Sequence, residues 1–311
     1  MSIAHRTREL CCGFSALLLF VLAPHVHAQN GIDRFLPHVR YFALPIADPL
    51  EPRLGLGLLN TTLFRTAAEG RERIRPFFIP DPADSRNDVD AVTSIGGTLP
   101  LWHVSSNGQG NGVVIAAQGG VISRFRIEYP TREDVGQDWF VGMPIEFADG
   151  AWSGRFRIMH RSSHLGDELV ETTGAARIEV GGEFLDFLAA YTLRPETRVY
   201  GGGTWVFRSY TDKTPVMIAR NRDDRFALQA GAETGAYPWA DGHFGVVAAA
   251  DVHLAQRTDW DPSIAAAAGF SARTNTRAGR FLVRYFTGPS LLEQFFLTPE
   301  KYWSIELIFD F

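Results

Sequence analysis

The segment between Trp152 and Glu168 gathers the side chains best suited to chemistry: His160, Ser162, His164, Asp167 and Glu168. His160 and Ser162 stand two positions apart. On an extended chain such residues share a face, with Cβ atoms about 7 Å apart. The imidazole can then reach the hydroxyl and take its proton as a general base. A serine nucleophile of this kind also needs a group that orients the imidazole. Glu183 and Glu179 offer carboxylates on the segment that follows, and depth selects between them. His160 lies about ten residues beyond the turn at Asp149 and Gly150, and Glu183 about twelve before the turn at Arg194 and Pro195, so both come to similar height on neighbouring strands. Glu179 falls too high, which leaves His160, Ser162 and Glu183 as the expected catalytic set.

That chemistry requires the segment to be a strand with a defined outer face. Trp152, Phe156 and Ile158 alternate with Arg155 and Arg157, and the same parity carries His160, Ser162 and His164 to the apolar side. In the return segment Leu185, Phe187, Ala189 and Tyr191 share the apolar face with Glu183, and Asp186 opposes them. The alternation recurs along the chain. Trp303, Ile305, Leu307, Phe309 and Phe311 oppose Ser304, Glu306 and Asp310; Phe226, Leu228, Ala230 and Ala232 oppose Arg225, Gln229 and Glu233. Phe244 to Leu254 alternate against His243, Asp251 and His253, and Phe281, Val283 and Tyr285 against Arg280 and Arg284. Val199, Gly201, Gly203, Trp205 and Phe207 oppose Arg198, Tyr200 and Arg208. Strands of membrane barrels show this dyad period over about ten residues. A soluble sandwich would carry more lysine and threonine on its polar face, and lysine is almost absent here.

The expected fold is therefore an all-β, transmembrane antiparallel β-barrel of about twelve strands. Its strands centre near 57, 96, 118, 142, 156, 185, 203, 229, 249, 267, 282 and 306. Short connections such as 148–150, 194–196 and 240–242 fall at one end, read as periplasmic. Longer ones, near 65–90, 104–111, 126–138, 161–176, 209–224 and 255–261, fall outside; those near 275 and at 287–299 do not sort.

Export follows from the first residues. Arg6 and Arg8 precede an apolar run from Cys11 to Ala23, and Val26, His27 and Ala28 make a cleavage site. Residues 1–28 are thus expected to be a secretory signal peptide, 29–50 a periplasmic or lumen-contacting leader, and 51–311 the barrel. The run is shorter than the roughly 20 residues of a spanning helix. Cys11 and Cys12, the only cysteines, leave with it, so disulfide and thiolate chemistry are excluded. The chain carries a formal charge of −5, one unit more acidic once Arg6, Arg8 and Glu9 are gone, which argues against nucleic acid. With 45% hydrophobic residues, 12% aromatic residues and 30 glycines but no long apolar run, an exported chain is a periplasmic β protein or a membrane barrel, and the strand alternation makes the outer membrane of a Gram-negative cell the location expected. The partners expected are outer-membrane lipid and, through the C-terminal strand ending on Phe311, the barrel-assembly machinery; a homodimer stays open.

The His-x-Ser arrangement of His160 and Ser162 resembles the strand-borne motif of outer-membrane phospholipase A and of the outer-membrane lipid A 3-O-deacylase. That resemblance implies a His and a Ser projecting from the barrel exterior toward the outer leaflet, with the third member on the next strand. It covers some twenty-five residues, and it departs where those families have Asn after the Ser and this chain has Ser163. Over most of its length the chain resembles the bacterial family catalogued as domain of unknown function 1207. The shared features are the run from Leu44 to Pro52, the run from His160 to Glu168, and Glu183 to Phe187 followed by Tyr191. This second resemblance implies an outer-membrane location and no established activity.

Plainer readings stand beside the sharp one. His160 and Ser162 can be interfacial residues where a strand leaves the membrane. His164 with Asp167 and Glu168 could hold a divalent cation, and Asp167, Glu168 and Glu171 a Ca²⁺ bridging to lipopolysaccharide; no cofactor is otherwise expected. The inward Arg155, Arg157, Arg198, Arg280 and Arg284 could line an anion-selective lumen, or pair with Glu233 and Glu306 and plug it. Trp152, Trp205, Trp239 and Trp303 read as aromatic girdle. Glycines 181–182 and 201–203 lack the following Lys-Ser/Thr of a phosphate loop. The leading expectation is a lipid-directed serine esterase or deacylase; the alternative is a non-enzymatic barrel, either a narrow pore or a structural protein.

Overall fold

The structure, a computed structural model, describes residues 33–63, 88–105, 111–127, 133–173, 180–211, 224–274 and 277–311. The expected signal peptide, the first residues of the leader and Glu179 lie outside them. Thirteen strands occur in chain order: β1 (Asp33–Phe35), β2 (Leu54–Thr61), β3 (Asp88–Ser105), β4 (Gly112–Arg126), β5 (Asp134–Asp149), β6 (Trp152–Leu165), β7 (Val180–Arg194), β8 (Thr197–Ser209), β9 (Phe226–Trp239), β10 (Phe244–Ala255), β11 (Pro262–Arg273), β12 (Ala278–Pro289) and β13 (Pro299–Asp310). A helix, α1 (Asp167–Thr173), follows β6. Each strand from β2 to β13 pairs antiparallel with its neighbours in sequence, and β13 pairs back onto β2, with Ile305 opposite Leu58. The ring is a closed barrel of twelve strands. Short β1 lies against the far end of β3, with Phe35 opposite Trp102.

Closure leaves no strand edge, as hydrocarbon requires, because unpaired N–H and C=O groups find no water there. Period-two patterning decides which face meets lipid. Along β13 exposure alternates residue by residue, with Trp303, Ile305 and Leu307 exposed and Ser304 and Glu306 buried. Leu56, Ile95, Val141, Ile158, Phe187, Leu228, Phe270 and Phe281 continue the exposed set around the barrel. An exterior so apolar is stable only against lipid. No helix among the described residues is long and apolar enough to cross a membrane.

The strand centres fall as expected, and the connections now sort. The link between β3 and β4 joins Ser105 to Gly112 at the same end as the Asp149 turn, since Gly112 pairs with Ala148. The expected long outer connection at 104–111 therefore belongs to the short-turn end. The link near 275 joins it there, and residues 290–298 lie at the opposite end with α1. The β5–β6 turn places Gly150 at φ 59°, the left-handed backbone a tight hairpin needs. That turn fixes the register in which Val141 meets His160.

The lumen is plugged across its middle. Residues 40–53 run through it, and the inward charges pair with them or with each other. Glu51 accepts from Arg155 (2.5 and 2.9 Å) and Arg157 (3.3 Å), and Asp186 takes a second bond from Arg157 at 2.7 Å. Arg284 pairs with Glu306 at 2.8 Å and donates to the carbonyls of Ile46 and Ala47. Arg198 bonds Glu233 and the Ala43 carbonyl, while Glu146 receives Arg40 and the Tyr41 amide. This network divides the interior into a cavity of about 810 Å³ at the short-turn end and one of about 150 Å³ toward the other. At the far end Leu63, Val135, Leu165, Leu169, Val180, Leu292, Phe295 and Phe296 form an apolar cap.

Candidate active site on the barrel exterior

β6 alternates as the sequence requires: Arg155, Arg157, Met159 and Ser163 face the lumen, and Trp152, Ile158, His160, Ser162 and His164 face out. Residues 160–164 occupy the last third of the strand, toward the long connections. Across the ladder His160 is paired with Glu183 of β7, and Ser162 with Gly181. His160 Nδ1 stands 3.3 Å from Glu183 Oε1. The imidazole and the carboxylate expected to orient it thus come together at one height.

Two groups that the sequence reading did not assign to the site, Tyr210 and Arg208, complete this end of it. The Tyr210 hydroxyl donates to the same Glu183 oxygen at 2.9 Å, and its ring lies edge-on to His160 with centroids 6.3 Å apart. Arg208 Nε lies 3.7 Å from Glu183 Oε2. Strict alternation puts Arg208 in the lumen, but a bulge between β7 and β8 pairs Glu183 with Arg208 and Phe184 with Val206. The extra residue, Phe207, shifts the face by one, so Arg208 is exposed on the outer side. Tyr210 lies just past the strand end, where no alternation marks its direction.

The hydrogen bond of Ser162 does not go to His160. Its Oγ lies 2.9 Å from Nε2 of His164, two residues farther along the same face. The exterior therefore carries two adjacent dyads, His160 with Glu183 and Ser162 with His164. Opposite Ser162, Gly181 is buried with φ 143°, and a Cβ there would sit 2.3 Å from the Arg161 carbonyl oxygen, so β7 packs tightly against β6 at this point. On the other flank Trp139 pairs with Ser162 and Val141 with His160, both exposed and apolar. The exposed apolar wall of Trp139 and Val141 suits an acyl chain next to a hydroxyl.

Ser163 takes no part on this face. Its side chain is buried in the lumen and donates to Asp138. From the same side Arg161 lies over the rings of Phe140 and Phe184 and pairs with Glu293, whose amide donates to Asp138 Oδ2 at 3.1 Å. Gln294 donates to the Ser163 carbonyl at 2.9 Å. The stretch of β6 that presents His160 and Ser162 outward is held at Arg161 and Ser163 from within. Burial acts to raise the Glu293 carboxyl, but the guanidiniums of Arg161 and Arg257 outweigh it and hold the group below the usual carboxylate range. The cation site suggested by His164, Asp167 and Glu168 is not assembled: among the described residues the metal-type cluster with ligand atoms within 4.8 Å is Asp48, Asp251 and His253.

A profile of the family described as "Protein of unknown function (DUF1207)" matches residues 78–311. A search among curated proteins gave no match. Among solved structures, outer membrane phospholipase A from Escherichia coli is 12% identical, with 85% of this chain and 93% of that one covered at a TM-score of 0.48. The outer membrane phospholipase dimer of Salmonella typhi with bound calcium is 13% identical, with 85% and 94% covered at 0.49. LpxR from Salmonella typhimurium is 9% identical, with 83% and 99% covered at 0.37. A closed antiparallel barrel with this apolar exterior resides in the outer membrane of a Gram-negative cell.

Proposed function

The chain belongs to the DUF1207 family, whose description names no reaction, and we propose that this member is an outer-membrane serine hydrolase of lipid acyl esters. The observation that carries the reading is the His160–Glu183 pair, 3.3 Å apart on facing positions of neighbouring strands, with Ser162 next on the same lipid-facing side. Polar groups on that face are costly to keep at membrane depth unless they serve a purpose.

In the proposed reaction the Ser162 oxygen attacks the ester carbonyl of a phospholipid or lipid A acyl chain lying against Trp139 and Val141. His160 accepts the hydroxyl proton and returns it to the departing alcohol. Glu183 holds the imidazole in orientation and offsets its charge, while Tyr210 and Arg208 hold Glu183. Water, activated by the same imidazole, then releases the acyl group as a fatty acid. The Ser162–His164 contact at 2.9 Å favours a second assignment in which His164 is the base.

The test is acyl release from vesicles containing phospholipid and lipopolysaccharide by the purified full chain. Ser162→Ala should abolish release. His160→Ala should do the same if His160 is the base, with His164→Ala retaining activity; the reverse pattern selects His164. No release by the wild type, together with unchanged lipid profiles in a deletion strain, leaves the non-enzymatic barrel.

A further inference from the structure

The lumen holds a second constellation, independent of the exterior face. Asp48 comes from the segment threading the barrel, Asp251 and His253 from β10, and one ligand atom of each lies within 4.8 Å of the others. The outer oxygens of both carboxylates are already held. Asp251 Oδ2 accepts from the Tyr200 hydroxyl (2.6 Å) and from the Gln229 amide (2.9 Å), and the same amide donates to Asp48 Oδ2 at 2.9 Å. The inner oxygens face the imidazole. His253 Nε2 is 2.8 Å from Asp251 Oδ1 and 3.5 Å from Asp48 Oδ1, which also accepts the Leu50 amide.

The close pair has an unusual geometry. Asp251 is fully buried, yet its Oδ1 and His253 Nε2 make no hydrogen bond despite their separation, because donor and lone pair are not aligned. Two atoms that approach closely without aiming at each other can both aim at a third point, as ligands of one cation do. Bonds of about 2.0–2.2 Å in a tetrahedral site put ligand atoms roughly 3.3–3.5 Å apart. The Asp48–His253 separation meets that spacing, and the Asp251–His253 separation reaches it by a small opening.

Charge points the same way. The guanidiniums near this part of the lumen are engaged elsewhere: Arg155 and Arg157 with Glu51 and Asp186, Arg284 with Glu306. Among the described residues, two buried carboxylates meet at the imidazole with no guanidinium bonded to either, and a dication with a neutral imidazole balances both. Asp48 and His253 also line the cavity of about 150 Å³, which has room for a water to complete the coordination shell.

We propose that Asp48 Oδ1, Asp251 Oδ1 and His253 Nε2 bind a divalent cation of the Zn²⁺ class. One nitrogen and two carboxylate oxygens suit that ion. Gln229 and Tyr200 fix the carboxylates from behind, as the groups around a metal site do. Because one ligand sits on the threaded segment and two on the wall, the ion staples the plug to the barrel.

The full chain, purified in detergent and stripped with chelator, is incubated with Zn²⁺, desalted and assayed by atomic emission and thermal unfolding. The wild type should retain about one equivalent and unfold at higher temperature with Zn²⁺ than without. His253→Gln and Asp48→Asn should lose retention, and Gln229→Leu should weaken affinity about 10–100-fold. Asp48→Asn leaves the wall untouched, so its loss of metal cannot be ascribed to a collapsed barrel if its gel mobility stays heat-modifiable. A wild type that retains no Zn²⁺, or whose unfolding Zn²⁺ does not shift, overturns the proposal, as do variants that retain as much as the wild type.

Discussion

His160 and Glu183 occupy directly paired positions on β6 and β7, and Nδ1 of the one stands 3.3 Å from Oε1 of the other. A pair set by the ladder has its two backbones placed by strand hydrogen bonds rather than by loop conformation. If the pair serves Ser162, Glu183→Gln should keep the fold and lower kcat by about 10²–10⁴-fold, the range for loss of a base or of its orienting group. Acyl release from mixed vesicles measures it, with heat-modifiable gel mobility as the control for folding.

Tyr210 acts one step further out. Its hydroxyl holds Glu183 at 2.9 Å, and hydrogen bonds to charged groups are worth about 1.5–3 kcal/mol. Tyr210→Phe should therefore reduce kcat about tenfold or more, leave KM near the wild-type value and shift the pH profile of kcat. An unchanged pH profile would assign Tyr210 a packing role.

The plug should govern stability. Glu51 is 2% exposed and receives both Arg155 and Arg157. Glu51→Gln leaves buried guanidiniums short of their partner and should cost about 3–5 kcal/mol. Urea unfolding of the detergent-solubilised chain reads this as a lower midpoint with a similar slope.

Acid should loosen the cap over residues 290–298. Arg161 and Arg257 hold the Glu293 carboxyl below its ordinary range despite burial, so the unfolded cap binds protons more readily than the folded one. The stabilisation is complete above the unfolded value of about 4.3. It is lost as pH falls from there through the depressed folded value. Protection factors from hydrogen exchange across 290–298, taken relative to the intrinsic rate at each pH, should fall below about pH 4.3, and Glu293→Gln should remove most of that dependence while lowering protection at neutral pH.

Much of the barrel was legible because alternation reports lipid and lumen directly: all twelve strand centres and the outward parity of His160, Ser162 and Glu183 follow from it. Where alternation breaks, legibility ends. The bulge at Phe207 turns Arg208 outward, and no residue type announces a bulge there. The 104–111 connection reads as an outer loop by length alone, whereas pairing of Gly112 with Ala148 puts it at the short-turn end. The Ser162–His164 contact was equally hidden, since both histidines share a face with the serine and side-chain rotation selects between them. The lumen partners Asp48 and Glu51 lie on a segment without periodicity, and only the folded chain shows which arginines they meet.

Intact-mass analysis of the detergent-solubilised chain after exposure to a long-chain alkyl fluorophosphonate tests the exterior nucleophile most directly. The account predicts a single adduct on Ser162 in the wild type, greatly slowed in Glu183→Gln and absent in Ser162→Ala. A wild type that stays unmodified while its lipid-facing serine is accessible, or one labelled as fast in Glu183→Gln, would contradict it.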